Sequence, residues 1–226
     1  MRLLLISSSN VHGYGYLDHA EEELKRALEG VRTVAFVPFA LQNHDAYTDK
    51  VRERLGRMGF AVTQVRGRTE VDAAEAIFIG GGNTFRLLKT LYERDLVTAI
   101  RDRVLQDGIP YIGSSAGTNM AMPTIKTSND MPIVYPPSFD ALALVAFQIN
   151  PHYLDPDPNS THKGETREER IREYLEENDL PVVGLREGTM LRVTDDAVLL
   201  AGDKPVRIFR RGAEPEELAP GSLLAL

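Results

Sequence analysis

The 226-residue chain contains no cysteine. That absence excludes disulfides, thiolate zinc sites and a sulfur nucleophile, so any covalent chemistry falls to another side chain. The chain also lacks an excess of positive charge: 26 Lys and Arg stand against 33 Asp and Glu, for a formal net charge of −7. A non-specific nucleic-acid binder needs a basic face to displace counterions, so no nucleic-acid partner is expected. No long apolar run is present, and Met1 leads directly into the short strand-like "RLLLISSS". Neither a signal peptide nor a membrane span is expected, and the chain reads as a soluble, cytoplasmic protein with no membrane partner. There is no low-complexity segment and no internal repeat. With 42% hydrophobic residues, the expectation is a single domain over residues 1–226.

What is there alternates. "RLLLIS" (2–7), "TVAFVPF" (33–39), "EAIFIGG" (75–81) and "PYIG" (110–113) are short and apolar on both faces, as strands are in a sheet covered on both sides. Between them, Ala20, Leu24, Ala27 and Leu28 recur at helical spacing and stop at Gly30. Val51, Leu55 and Met58 repeat the pattern up to Gly59, and Phe85, Leu88 and Leu91 form a third helix that Asn83 or Thr84 can cap. The fold class predicted is α/β, a mostly parallel central sheet with helices on both faces. After Ser115 the pattern loosens. Residues 127–140 and 150–164 are rich in Pro, Asn and Asp and read as long loops. "PVVGLR", "TMLRV", "AVLLAG" and "VRIFR" then predict extra short C-terminal strands, some antiparallel.

The chemistry-bearing stretch is "GSSAG", Gly113 to Gly117, where a strand ends and a helix begins. Its frame, G-x-S-x-G, puts Ser115 on a sharp turn, where side chains at Gly113 or Gly117 would clash. The Ala116 N–H at the start of the following helix is aimed to donate to an oxyanion. "IGGGNTF" (79–85) is a second Gly-rich strand end opening a helix. It lacks the lysine of a phosphate loop, so Gly81 or Gly82 is the candidate for the second oxyanion amide. A plain tight turn is the alternative for each of these glycines.

Five histidines can supply a base: His12, His19, His44, His152 and His162. His19 falls on a charged helix face and reads as solvated, and His12 and His44 lie in early loops without partners. His152 follows an apolar run at a strand end, where a base can be mounted. A metal cluster from His152, Asp155, Asp157 and His162 matches no zinc-ligand spacing, so no metal is expected. Two acids compete to orient the histidine: Asp130 in "TSNDMPIV", and Glu187 just after "PVVGLR". Chain order does not choose between them. Thr166 and Glu169 form a T-x-x-E capping box, which puts Arg167 in the first turn of a helix. A cation there opposes the helix dipole, which suggests an anion site, whereas Arg170 and Arg172 read as surface residues.

The stretches "GGGNTFRLLK", "YIGSSAGTN", "TSNDMPIV", "QINPH", "HKGETREERIRE" and "VVGLREG" together resemble the S51 family of serine peptidases, the peptidase E-type aspartyl dipeptidases. The likeness runs along nearly the whole chain. It implies a flavodoxin-like or class I glutamine amidotransferase-like fold and hydrolysis of small dipeptides with a free N-terminal aspartate, with no cofactor. Carried over, it makes Ser115 the nucleophile, His152 the base, Asp130 or Glu187 the acid, and Arg167 the residue that recognises aspartate. Where the family commonly has Trp before the nucleophile, this chain has Ser114, and its segment between His152 and Arg167 differs slightly in length. The alternatives are a cyanophycinase-like or amidase enzyme, and a non-catalytic ligand-binding domain. Oligomeric state is not readable from the residues, and a homodimer stays open.

Overall fold

A computed structural model describes residues 1–226 except Pro158, Ser160, His162 and Asp196. The first half alternates strictly at first: β1 (Arg2–Ile6), α1 (Glu21–Ala27), β2 (Thr33–Val37), α2 (His44–Arg57), β3 (Ala61–Gln64), α3 (Arg68–Asp72) and β4 (Ala76–Ile79). Two helices follow, α4 (Thr84–Glu93) and α5 (Leu96–Leu105), then β5 (Tyr111–Ser114) and α6 (Ala116–Ala121). The second half holds β6 (Gln148–Tyr153) and α7 (Arg167–Glu177). It ends in β7 (Val182–Arg186), β8 (Thr189–Thr194), β9 (Val198–Gly202), β10 (Val206–Phe209) and β11 (Glu216–Leu218).

Alternation along the strands decides the layers, because successive side chains of a strand point to opposite faces. Leu3, Leu5, Ala35, Val37, Ile77 and Ile79 bury on one face with Leu87, Leu88 and Leu91 of α4 and Ile100 and Val104 of α5. Leu4, Ile6, Val34, Phe36, Ala76 and Phe78 bury on the other, with Leu24 of α1 and Val51 and Leu55 of α2. Both faces are covered, as the uniformly apolar strands require. The larger sheet has the order β3-β2-β4-β5-β1-β8-β9. Its first five strands are parallel, while β8 and β9 join antiparallel. This is the flavodoxin order with the chain's first strand in the fifth place. Among the described residues no helix is long and apolar enough to cross a membrane.

The C-terminal strands divide. β8 and β9 extend the large sheet, while β7 and β10 enter a second sheet of order β11-β10-β7-β6. Ile149, Val183, Leu185 and Ile208 of this second sheet share the core with α4, α5 and α6. Its outer face is covered by Ile171 and Leu175 of α7, packed on Tyr153, Val182 and Phe209.

One expectation changes. Residues 150–164 were expected to be loop throughout, but Asn150 to Tyr153 complete β6. Pro151 obscured this: proline is tolerated on an edge strand, and β6 is one, with its register to β7 shifting between Pro151 and Tyr153. Residues 127–140 are irregular as expected, closed at their base by a bridge from Thr124 to Asp140. Beyond the expected elements come β3, α3 and α5. The first two span four and five residues, too few to display a period.

The turn from β5 into α6 is the tightest approach in the sheet. A Cβ on Gly117 would stand 2.0 Å from the Ile79 carbonyl oxygen, and one on Gly113 would stand 2.5 Å from that of Gly117. Both obstacles are backbone, which cannot rotate away. Gly117→Ala should therefore lower the unfolding free energy by about 3 kcal/mol or more. Guanidinium unfolding curves check this, and an unchanged midpoint would refute the close approach.

Candidate active site

Ser115 is the residue between β5 and α6, with φ 55° and ψ −109°. A non-glycine residue adopts such a conformation only where its surroundings impose it. Here the Ser115 N–H donates to the Ile6 carbonyl at 3.0 Å, and the Thr118 hydroxyl donates to the same carbonyl at 2.7 Å. Ser115 Oγ lies 2.8 Å from His152 Nε2, and His152 Nδ1 lies 2.6 Å from Glu187 Oε1. Hydroxyl, imidazole and carboxylate thus form one hydrogen-bonded chain. Such a chain can take the proton of an attacking hydroxyl while the acid fixes the ring's tautomer. Ser114 points elsewhere: it is fully buried, and its hydroxyl has no partner among the described residues.

His152 sits near the end of β6, and Glu187 follows β7, its parallel neighbour. His152 also has a positive φ, 55°. Its backbone N–H donates to Ser7 Oγ at 2.9 Å, and the Ser7 hydroxyl donates to the Leu185 carbonyl at 2.7 Å. Ser7 is fully buried at the end of β1 and so pins the second sheet to the first. Arg186, next to the acid, grips Asp155 with two nitrogens at 2.7 and 2.8 Å and holds Glu217 at 2.6 Å. These carboxylates raise the Arg186 pKa, and Arg186 in turn lowers that of Asp155. The segment after His152 is thereby tied to the strand that carries Glu187.

Asp130 is placed differently from Glu187. Its Oδ2 accepts from the Thr84 N–H at 2.7 Å, at the start of α4, and not from His152. The loop around it is tethered to β6: Asn129 donates to the Pro151 carbonyl at 2.7 Å, and Asn150 donates to Asn129 at 2.8 Å.

At the candidate oxyanion amides, Gly81 packs so closely on Ser115 that an added Cβ would sit 3.1 Å from the serine Cβ. Tyr47, whose pKa burial chiefly raises, is its neighbour, and the Gly81 N–H donates to no protein acceptor among the described residues. Gly82, with φ 133°, presses on the Ala40 carbonyl, which a Cβ would meet at 2.6 Å. The amides of Gly82 and Ala116 donate to no protein acceptor among the described residues. Arg167 is the first residue of α7, with Thr166 and Glu169 forming the expected capping box. It is half-buried, and it opens on a cavity with Leu154, Asp155 and Thr166 rather than on the one beside Ser115. Burial foremost, then Arg170, lowers its pKa, and Asp130 opposes them.

The remaining histidines diverge from expectation in part. His19 is not solvated: it lies in a 3-10 turn, both ring nitrogens are buried, and burial lowers its pKa. The charged neighbours suggested exposure, but the turn folds the ring inward. His44 begins α2 and packs on Phe39, its ring centroid 5.3 Å away. His162 lies outside the described residues. Among those described, no group of three His, Asp or Glu side chains is arranged to hold a metal. Sequence reasoning missed Ser7, Tyr47 and Lys50, which surround the site. The run "SSS" directly after the first strand is the only signal that could have pointed to Ser7.

Comparison with known proteins gives the lineage. The sequence model of Peptidase family S51 matches residues 3–201. The chain belongs to this family. It is similar to peptidase E of Streptomyces coelicolor, at 56% identity over 229 residues covering 100% of this chain and 94% of that one. A Drosophila melanogaster protein named "Probable alpha-aspartyl dipeptidase" is 53% identical, covering 96% of this chain and 93% of its own. A solved peptidase from an acI-B1 actinobacterium superposes with a TM-score of 0.69 at 19% identity, over 100% of this chain and 96% of that one. The last shows the shared α/β fold. The first two identify a serine-type peptide hydrolase, a dipeptidase of family S51.

The Ser7 bridge makes a testable demand on stability. Ser7→Ala leaves the His152 N–H and the Leu185 carbonyl without their buried partner, so it should cost about 1–3 kcal/mol. Denaturant unfolding measures it, and a loss below about 0.5 kcal/mol would mean that the bridge contributes nothing.

Proposed function

We propose that this S51 peptidase hydrolyses dipeptides bearing a free N-terminal aspartate, with Ser115 as nucleophile, His152 as general base and Glu187 as the acid that orients it. The observation that carries the reading is the unbroken hydrogen-bonded chain from Ser115 Oγ through both His152 nitrogens to Glu187. Ser115 Oγ attacks the peptide carbonyl, and His152 Nε2 takes the hydroxyl proton and delivers it to the leaving amine. The resulting ester is cleaved by a water that His152 deprotonates, which releases aspartate and restores the serine. Ala116 N–H and a glycine amide hold the oxyanion. Gly81, packed against Ser115, and Gly82 both offer an amide without a protein acceptor among the described residues.

The substrate's charges assign the remaining residues. Asp130, with one oxygen engaged by Thr84, offers the other to the free α-ammonium. Arg167, half-buried and in no ion pair among the described residues, pairs with the aspartate β-carboxylate. A guanidinium fork matches a carboxylate but is left unpaired against an amide, so Asp should be preferred over Asn at the first position. The names of the similar proteins, peptidase E and alpha-aspartyl dipeptidase, support the same substrate class.

Five variants test the assignment on Asp-Leu. Ser115→Ala should lose turnover by roughly 10⁴-fold or more, as removal of a nucleophile does. Ser114→Ala, which removes a buried hydroxyl without a partner, should keep most of it. Comparable losses in both would move the nucleophile. Glu187→Gln should lower kcat with little change in KM, because orientation of the base matters in the transition state. Asp130→Asn should chiefly raise KM, and the reverse pattern would exchange the two acids. Arg167→Met should abolish the preference for Asp-Leu over Asn-Leu, and equal cleavage of the two by the unaltered enzyme would exclude the aspartate reading.

A further inference from the structure

A cavity of about 500 Å³ opens beside Ser115, in the range of roughly 300–1,000 Å³ usual for small-ligand sites. Both Ser115 and His152 line it, together with Tyr16, Leu41, Tyr47 and Lys50. Its wall carries one permanent charge, the Lys50 ammonium, and no carboxylate among the described residues. Burial raises the pKa of Tyr16 well above its ordinary value and that of Tyr47 above its own, so both are neutral. The cavity is therefore cationic in a chain whose net charge is −7.

Lys50 differs from the other helical lysines. Lys25 pairs with Glu21 at 2.7 Å and Lys89 pairs with Glu93. The acids nearest Lys50 on its own helix are taken by arginines, Asp49 by Arg52 and Glu53 by Arg57. Lys50 enters no ion pair among the described residues, and its Nζ stands 4.1 Å from the centroid of the Tyr16 ring. A cation over an aromatic face keeps a defined position while its donors stay open to an anion.

The chemistry says which part of a substrate enters here. His152 Nε2 hands its proton to the leaving nitrogen, so that nitrogen must lie beside both His152 and Ser115. Arg167 opens on a separate cavity that shares no lining residue with this one, and Asp130 is held at the first amide of α4. In a dipeptide the leaving residue carries a free α-carboxylate only two bonds from its nitrogen. We propose that this cavity receives the leaving residue and that Lys50 binds its α-carboxylate, so that the enzyme selects peptides ending at the second residue. The inference rests on the dipeptidase reading above. It also leaves the second side chain loosely specified, because recognition falls on a group common to all residues.

Asp-Leu and Asp-leucinamide differ in this one charge and test the proposal. The unaltered enzyme should favour the free acid by about tenfold or more in kcat/KM, and the ratio should shrink at high salt. In Lys50→Met the ratio should fall to about one, chiefly through a higher KM for Asp-Leu, while Lys50→Arg should retain a preference. Lys50 is exposed on α2, so both variants should melt like the parent. Equal cleavage of acid and amide by the unaltered enzyme would overturn the carboxylate site while leaving the dipeptidase reading intact. So would a ratio unchanged in Lys50→Met, or an equal loss on both substrates, which would put Lys50 on the aspartate instead. Failure of the unaltered enzyme to cleave either substrate would overturn the dipeptidase reading and this inference with it.

Discussion

Everything at the site depends on how closely the β5–α6 turn is pressed against the ends of β1 and β4. The Ile6 carbonyl takes both the Ser115 N–H and the Thr118 hydroxyl, and Thr118 also donates to Gly113 at 3.0 Å. On the far side the Tyr111 hydroxyl donates to the Gly117 carbonyl at 2.6 Å. The turn is thus bonded to its own strand, to β1 and, by contact at Gly117, to β4. A backbone held at φ 55° for Ser115 costs about 1–3 kcal/mol, and these contacts over-determine it. The same compression brings Gly81 against the serine, so the hydroxyl and the amides proposed for the oxyanion are assembled by one packing constraint.

The second constraint joins two sheets. The hydroxyl comes from the large sheet, while the imidazole and the carboxylate come from the ends of β6 and β7 in the small one. A distance of 2.8 Å between Ser115 Oγ and His152 Nε2 therefore requires the sheets to be fixed relative to one another. Three features do that. The shared core runs from Leu3 and Leu5 to Val183 and Leu185. Ser7 bonds to both β6 and β7. Chain connection adds the third, since the strands that carry Glu187 and extend β1 are separated only by the turn at Gly188. Groups mounted this way, on a strand end or on the tight turn directly after one, are held rigidly, which suits chemistry sensitive to small displacements.

The sequence made the parallel core legible because its strands are apolar on both faces and its helices end at glycines. It also exposed Ser115, since the turn tolerates no side chain at Gly113 or Gly117 and the motif is the direct imprint of that clash. Between Asp130 and Glu187 the sequence supported only a slight lean to Glu187, which follows a strand end; the partner of His152 was not legible. It depends on which strand neighbours β6, and the parallel pairing of β6 with β7 has no local signature. The same reason hid the second sheet: Pro151 and the register shift beside it remove the alternation by which a strand is recognised. Ser7 and Lys50 act through partners more than 100 residues away or through a cavity wall. A short polar run and an ordinary helical lysine carry no trace of either role.

Charge ties these parts to a substrate. An aspartyl dipeptide at neutral pH is small and carries two carboxylates and one ammonium, so it offers little apolar surface to bury. Recognition must then come from placed charges, and a chain of net charge −7 would repel such a ligand unless its cations were local and unspent. Most arginines and lysines here are spent: Arg54, Arg172, Arg186, Arg207 and Arg211 all hold carboxylates. Arg167 and Lys50 enter no ion pair among the described residues, and they face separate cavities: Lys50 shares one with Ser115 and His152, and Arg167 opens on another with Leu154, Asp155 and Thr166. Two separated cations and one carboxylate form a pattern complementary to the ends of a dipeptide. A longer peptide would replace the second carboxylate by a neutral amide, so the arrangement measures substrate length by charge rather than by a wall.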